Sequence, residues 1–144
     1  MEPVVVLLVE DNMDHAELIK RSFADQEIES KIYHVTDGEA ALNYLFRREE
    51  YSDPEKSPRP RIILLDLRLP KVPGLEVLKE LKEDVELQRI PVIVLSTSEG
   101  ETDYAKACEY HANSYLVKNL DYKKFTEIMQ SISNYWLTYN RPPY

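Results

Sequence analysis

Cysteine, net positive charge and long apolar runs are all missing or scarce in this chain of 144 residues. The one cysteine, Cys108, has no partner for an internal disulfide, which is typical of a protein in a reducing cytosol. No apolar run approaches the ~20 residues of a membrane span, and the N-terminus lacks the basic region of a secretion signal. The net charge of −8 argues against a basic face that grips nucleic acid. We therefore expect a cytoplasmic protein that binds neither membrane nor nucleic acid.

The composition that remains is that of a soluble globular domain. Hydrophobic residues make up 43% of the chain and charged residues 31%, and no internal repeat is visible. The length is enough for one hydrophobic core. We expect a single domain over residues 1–144, with its core over about residues 1–133 and a helix end and tail over residues 134–144. No output domain is expected after it.

Four short apolar runs each end in a polar side chain. Three of them are unbroken, which is typical of parallel strands that are covered on both faces. The runs and their polar ends are Val4–Val9 with Glu10 and Asp11, Ile62–Leu65 with Asp66, Val92–Leu95 with Ser96, and Ser114–Val117 with Lys118. A weaker strand, expected within Ile28–Val35, suits the edge of a sheet.

Helical spacing of apolar residues follows each predicted strand. Asp14 with Glu17 resembles a capping box for the first helix, and the stretch from Thr36 to Glu39 offers a cap for the second. Residues 47–61 carry three prolines and predict a long surface loop. Alternating strands and helices indicate a parallel sheet between two layers of helices. Right-handed crossovers then bring all the polar strand ends to one edge of that sheet.

This edge predicts a metal and phosphoryl-transfer site. The carboxylates of Glu10, Asp11 and Asp66 would repel one another without a cation, and Mg²⁺ prefers such oxygen ligands. Asp66 is either a third ligand or a nucleophile that forms an aspartyl phosphate, with Lys118 and the Ser96 hydroxyl stabilising the phosphoryl oxygens. Singly, each residue also fits a turn, a strand end or a helix cap. The three histidines are scattered, so no zinc site is expected, and we interpret them as surface or packing residues.

The chain resembles the receiver domains of two-component response regulators. The resemblance covers nearly the whole chain and rests on four blocks and their spacing: Val9-Glu-Asp-Asn12, Leu64-Leu-Asp-Leu-Arg-Leu-Pro70 with Gly74, Val94-Leu-Ser-Thr-Ser98, and Tyr115-Leu-Val-Lys118. It implies an α/β, flavodoxin-like (βα)5 three-layer sandwich whose five parallel strands are ordered 2-1-3-4-5. The long loop and the C-terminal extension are similar to those of the small regulators that pair with phytochrome-type kinases.

The resemblance also implies a role for each site residue. Asp66 would accept a phosphoryl group from a sensor histidine kinase or a phosphotransfer protein. Mg²⁺ would be held by Glu10, Asp11, Asp66 and the backbone carbonyl of Arg68. Phosphate would be bound by Lys118, Ser96 and Thr97, and Ser96 and Tyr115 would form a switch pair. The protein would then signal by docking to a partner, rather than as an enzyme with a substrate of its own.

Two regions depart from the family pattern or extend it. The family has proline, often after a cis bond, where this chain has Asn119, and a cis bond before a non-proline residue costs ~3–4 kcal/mol. Whether the Lys118–Asn119 peptide is cis is left open by the sequence. Trp136, Tyr139 and Tyr144 could form an interaction surface for a homodimer, although Trp136 alone more simply packs on the sheet.

Two other functions fit parts of this pattern. The first is a Mg²⁺-dependent phosphatase that passes through an aspartyl phosphate. Such phosphatases need an acid two residues after the nucleophile, where this chain has Arg68, which cannot donate a proton to a leaving group. The second is a pseudo-receiver that binds partners without phosphorylation. Asn119 is the feature in its favour, and the complete acidic set with Lys118 argues against it.

Overall fold

Strands and helices alternate five times in the computed structural model, which describes residues 3–97, 101–118 and 121–142. Within these ranges, no helix combines the length and the apolar character that a bilayer crossing requires. The strands are β1 Val4–Val9, β2 Ser30–Val35, β3 Ile62–Leu65, β4 Val92–Ser96 and β5 Ser114–Val117. The helices are α1 Met13–Ala24, α2 Gly38–Leu45, α3 Gly74–Glu83, α4 Glu101–Glu109 and α5 Tyr122–Ile132. Short 3₁₀ turns span Glu49–Tyr51 and Leu87–Arg89.

All five strands are parallel and lie in the order β2-β1-β3-β4-β5. The expected flavodoxin-like order is therefore confirmed. The weakest strand of the sequence, β2, lies at an edge as expected, and none of its first five residues is fully buried. The central strand β3 is buried over its whole length, which explains why the sequence there is unbroken and apolar.

Alternate residues of each strand feed two separate hydrophobic layers. Leu7 and Val9 pack in the layer beneath α2 and α3, whereas Val6 and Leu8 pack in the layer beneath α1 and α5. Successive side chains of a strand point to opposite faces of the sheet, so alternate residues enter different layers. The sheet is thus covered on both sides, and its two ends are the places where water and ligands can reach strand residues.

The predicted caps are right for α2 and wrong for α1. Asp37 caps α2 by accepting a hydrogen bond from the Ala40 N–H at 2.7 Å. In α1 the cap is Asn12, whose side chain accepts from the N–H groups of Asp14 and His15 at 3.0 and 3.1 Å. The helix therefore begins earlier than the Asp14 capping box predicts. The first turn then starts directly after the carboxylates of β1.

The C-terminal extension is a continuation of α5. Residues Ser133–Tyr139 form a π-helix that ends before Asn140, since the prolines that follow cannot continue it. Arg61, just before β3, donates from its guanidinium to the Leu137 carbonyl at 3.3 Å. Trp136 is half-buried against the layer beneath α1 and α5, so the expected packing on the sheet is confirmed. Tyr144 lies outside the described residues.

Candidate functional site

The polar strand ends converge at the carboxyl edge of the sheet, as the alternating pattern predicts. Glu10 follows β1, Asp66 follows β3, Ser96 ends β4 and Lys118 follows β5. All four are buried, with exposed fractions of 1% for Glu10, 7% for Asp66, 0% for Ser96 and 7% for Lys118. Buried charged groups are rare unless they are paired. Their concentration at one edge therefore marks this edge as the candidate site.

Three carboxylates at this edge can meet at one point. Glu10, Asp11 and Asp66 each offer an oxygen, and these oxygens all lie within 4.8 Å of one another. Glu10 and Asp66 are buried, whereas Asp11 is exposed. An all-oxygen set with one face open to water suits Mg²⁺, which keeps several of its own waters. The residues present therefore fit a divalent cation.

Lys118 supplies the positive charge inside this cluster. Its ammonium group forms an ion pair with the Glu10 carboxylate and a second one with Oδ2 of Asp66 at 3.4 Å. The Lys118 backbone N–H donates to the Ser96 carbonyl at 2.7 Å, which fixes the end of β5 against β4. One cation thus faces two buried carboxylates. It also lies where it can contact a charged group that is attached to Asp66.

The shared lysine leaves the acidic cluster short of positive charge. Burial raises the pKa of Glu10 from its ordinary 4.5 to about 7, although the hydrogen bond and charge of Lys118 act in the opposite direction. Desolvation is therefore the larger effect. A divalent cation at this site would favour the ionised carboxylate and would bind best where Glu10 has lost its proton.

Two glycines shape the loop between β3 and α3, which carries Asp66. A Cβ atom on Gly74 would lie 2.4 Å from the Asp66 carbonyl oxygen, and one on Gly38 would lie 1.9 Å from the Val72 carbonyl oxygen. The backbone N–H of Gly74 donates to the Leu67 carbonyl at 3.0 Å, and that of Gly38 donates to the Pro70 carbonyl at 3.2 Å. Only glycine allows these close approaches. The loop is thereby held against α2 and α3.

Arg68 connects this loop to α4. Its backbone N–H donates to Oδ1 of Asp66 at 3.3 Å. Its guanidinium forms an ion pair with Asp103 of α4 at 2.5 Å, in which the Arg68 side chain is 65% exposed and that of Asp103 is 15% exposed. The ion pair links the loop after β3 to α4. No sequence pattern pointed to Asp103, because the two residues are 35 positions apart.

The residues expected to bind phosphate and to switch lie on β4 and β5. Ser96 is fully buried, and Thr97 next to it is exposed. Tyr115 pairs in register with Val94 on β4. Its ring packs edge-on against Tyr104 of α4, with 5.4 Å between the ring centroids. Ser98 and Asn119 lie outside the described residues, as does the peptide bond between Lys118 and Asn119.

Two histidines belong to the site's surroundings, which sequence reasoning missed. Nδ1 of His15 lies 3.1 Å from the Lys118 ammonium, and Nε2 of His34 lies 2.8 Å from the Glu10 carbonyl oxygen. Partial burial, and then the charge of Lys118, lower the pKa of His15. A neutral His15 can accept a hydrogen bond from Lys118 and help to orient it. The signal was its place in the first turn of α1, directly after the carboxylates of β1.

Comparisons with known proteins agree on one family. The family model of the response regulator receiver domain matches residues 6–130. The probable methanogenesis regulatory protein FilR2 of Methanothrix harundinacea is 44% identical over 99% of this chain and 89% of its own length. Response regulator Rcp1 of Synechocystis is 42% identical over 94% of this chain and 90% of its own length.

Solved structures of such relatives have the same fold over nearly the whole chain. The phosphorylated cyanobacterial phytochrome response regulator RcpA superposes with a TM-score of 0.94 at 38% identity, covering 99% of this chain and all of RcpA. The Mn²⁺-bound form of Rcp1 gives a TM-score of 0.91 at 41% identity, with the same coverage. The strand order, the acidic edge and these matches agree, and the chain belongs to the response regulator receiver domain family.

Proposed function

We propose that this chain is a phosphoacceptor whose Asp66 receives a phosphoryl group from the phosphohistidine of a sensor kinase. An Asp66 carboxylate oxygen attacks phosphorus, the bond between phosphorus and the donor's imidazole nitrogen breaks, and the imidazole leaves with the bonding electron pair. The product is an aspartyl phosphate. A phosphotransfer protein with a phosphohistidine can serve as the donor by the same step.

The observation that carries this proposal is the contact of Lys118 with Asp66, 3.4 Å long, inside a buried acidic cluster. A new phosphoryl group brings additional negative charge to this edge, and a buried ammonium ion can neutralise it without reorganisation. Ser96 and Thr97 carry the hydroxyl groups that would donate to the remaining phosphoryl oxygens. Mg²⁺, held by Glu10, Asp11, Asp66 and the Arg68 carbonyl, would offset charge as it develops on the transferred group.

The partner that we propose is a histidine kinase of the phytochrome type. RcpA is described as a phytochrome response regulator, and it matches this chain over its whole length. The continued α5, with exposed Tyr135 and Tyr139, gives the chain an aromatic surface outside the phosphorylation site. Such a surface suits docking to a partner or to a second copy of the chain.

We propose that phosphorylation is read through α4 and β5. Ser96 would turn its hydroxyl towards the phosphoryl oxygens, and the Tyr115 ring would follow it inward. That movement would remove the ring from its edge-on contact with Tyr104, which is 54% exposed on α4. A local change of charge would thus alter an exposed face. The Arg68–Asp103 ion pair joins the loop that carries Asp66 to the same helix, α4.

The geometry favours this function over a phosphatase. A phosphatase of this chemistry needs an acid beside the nucleophile to protonate the leaving group. Arg68 occupies that position, and its guanidinium is engaged by Asp103.

Intact-mass measurement after incubation with acetyl phosphate and Mg²⁺ tests the proposal. We expect one added phosphoryl group on the wild type, none on Asp66→Asn, and none when a chelator removes the metal. Asp25→Asn, which changes an exposed acid just after α1, is the matched control and should label like the wild type. Labelling of Asp66→Asn at the wild-type rate would reject Asp66 as the acceptor. The absence of an adduct on folded wild type would indicate a pseudo-receiver.

A further inference from the structure

A second charged site lies at the opposite edge of the sheet from Asp66. Arg47 follows α2, Arg59 lies just before β3, and Arg89 lies just before β4. These three arginines line a cavity of about 330 Å³ together with Glu86, Leu87 and Ile90. We call it the arginine cleft. None of its residues belongs to the phosphorylation site, and β3 separates the two.

The arginine cleft is rich in positive charge, although the chain as a whole is negatively charged. The protein as a whole carries a net charge of −8, yet three arginines line this one cavity, with Glu86 as the acidic residue among the described lining residues. Neither Arg47 nor Arg89 forms an ion pair with a carboxylate in the described part of the chain. Like charges that lie close together raise the energy of the folded state. A bound anion would relieve this repulsion.

Arg47, which lines the arginine cleft, has a strained backbone conformation. Arg47 has a φ of 53°. The next N–H, that of Arg48, donates to the Asn43 carbonyl at 2.8 Å. This is the left-handed position that ends a helix, where glycine is the usual residue because it has no Cβ. The chain has arginine instead, at a cost in backbone energy. The strain therefore draws attention to what its side chain does.

Hydrogen bonds orient two of the guanidinium groups, and one buried donor of Arg47 has no partner among the described residues. Arg59 donates from Nη1 to the Leu45 carbonyl at 2.7 Å, and Arg47 donates from Nη2 to the Ser57 carbonyl at 3.3 Å. The Nε atom of Arg47 is buried and has no hydrogen-bond partner among the described residues. A guanidinium has five N–H donors, and a buried donor without an acceptor is unfavourable. The cleft therefore offers donors to an anionic ligand.

We propose that the arginine cleft binds a small, multiply charged phosphate anion, of the class of pyrophosphate or the phosphate chain of a nucleotide. Guanidinium groups match the geometry of phosphate oxygens and keep their charge at any physiological pH. The volume is at the small end of the range for ligand sites. Because the cleft lies at the other end of the sheet from Asp66, binding there goes beyond the phosphoacceptor function and does not depend on it.

Calorimetric titration of the full chain in magnesium-free buffer tests this proposal, with pyrophosphate, ATP and citrate as separate probes. We expect pyrophosphate to bind, and Arg89→Gln to weaken that binding by about tenfold or more, as the loss of a charge-assisted hydrogen bond predicts. Arg47→Gly should also weaken it, while the glycine relieves the backbone strain and preserves the fold. Arg48→Gln, which changes an exposed arginine beside the cleft that stacks on Phe46, is the control and should bind like the wild type.

The probes separate the possible ligands, and the location is checked by amide chemical shifts. Tighter binding of ATP than of pyrophosphate would indicate a nucleotide, and equal binding would indicate the phosphate chain alone. Shift changes should centre on residues 45–48 and 87–90. The proposal is wrong if pyrophosphate does not bind at millimolar concentration, if citrate binds as tightly, if Arg89→Gln binds unchanged, or if the shifts centre on Asp66 and Lys118.

Discussion

Replacing Lys118 with methionine should destabilise the metal-free protein strongly and make it more responsive to Mg²⁺. The ammonium lies 3.4 Å from Asp66, and both side chains are largely buried. At an effective dielectric constant of about 20, a pair at this distance attracts by about 5 kcal/mol before desolvation is subtracted. Removing one partner of such a buried pair costs about 3–5 kcal/mol, because the remaining charge is left uncompensated. Methionine keeps the length and the apolar stem of lysine.

This loss should be visible as a shift in melting temperature. For a domain of this size, 1 kcal/mol corresponds to about 2–4 °C, so Lys118→Met should melt about 6–20 °C lower than the wild type in a chelator. Mg²⁺ should then raise the melting temperature of the variant more than that of the wild type. The reason is that the cation no longer competes with Lys118 for Glu10 and Asp66, and ligand binding to the folded state stabilises it.

Lys82→Met is the matched control for this experiment. Lys82 is also half-buried, and burial lowers its pKa to about 8. It donates to the carbonyls of Gln88 and Ile90 and to the side chain of Asn113, and to no carboxylate among the described residues. Its replacement should also lower the melting temperature, because a half-buried ammonium group and its hydrogen bonds are lost. The response to Mg²⁺ should stay unchanged. Equal Mg²⁺ responses in the two variants, or a Lys118→Met protein as stable as the wild type, would refute the reasoning.

Three further predictions concern the same edge of the sheet. Because burial raises the pKa of Glu10 to about 7, Mg²⁺ must displace a proton below that pH, so its affinity in a fluorescence titration should rise up to about pH 7 and level off above it. Arg68→Ala should change the rate of dephosphorylation more than that of phosphorylation, and Asp103→Asn, which breaks the same ion pair, should show how much of the effect passes through α4. Gly74→Ala should slow the labelling of Asp66 by about 10²-fold, because its Cβ would lie 2.4 Å from the Asp66 carbonyl oxygen and displace that residue.

Each of these predictions has an outcome that would contradict it. An affinity for Mg²⁺ that is constant from pH 5.5 to 8 would show that Glu10 does not titrate against the metal. If Arg68→Ala changed the rates of phosphorylation and dephosphorylation equally, Arg68 would have no specific role in hydrolysis. Unchanged labelling of Gly74→Ala, in a protein that circular dichroism shows to be folded, would mean that the loop yields without moving Asp66.

The sheet and its acidic edge could be predicted because each depends on local sequence. The unbroken apolar run Ile62–Leu65 required burial on both faces, and the position of Asp66 at its end followed from strand direction alone. The strand order came from resemblance, since five alternating units permit several orders. The predicted cap at Asp14 failed because Asn12, two residues earlier, caps the helix by accepting from the N–H groups of Asp14 and His15, which places Asp14 inside the first turn.

The contacts that the sequence did not reveal all join distant elements. Asp103 meets Arg68 across 35 positions, and His15 meets Lys118 across 103 positions. The arginine cleft likewise joins residues from two separate connections, one between α2 and β3 and one between α3 and β4. Such contacts depend on how helices and loops pack on the sheet, which no local spacing encodes.

The central proposal is that Asp66, among the acids at this edge, carries the phosphoryl group. The most direct measurement is borohydride reduction of the phosphorylated chain, which converts an aspartyl phosphate to homoserine, followed by tandem mass spectrometry of the peptides. We expect homoserine at position 66 alone, and none without phosphorylation. Reduction at Asp11, or a stable label that borohydride does not remove, would contradict the proposed chemistry.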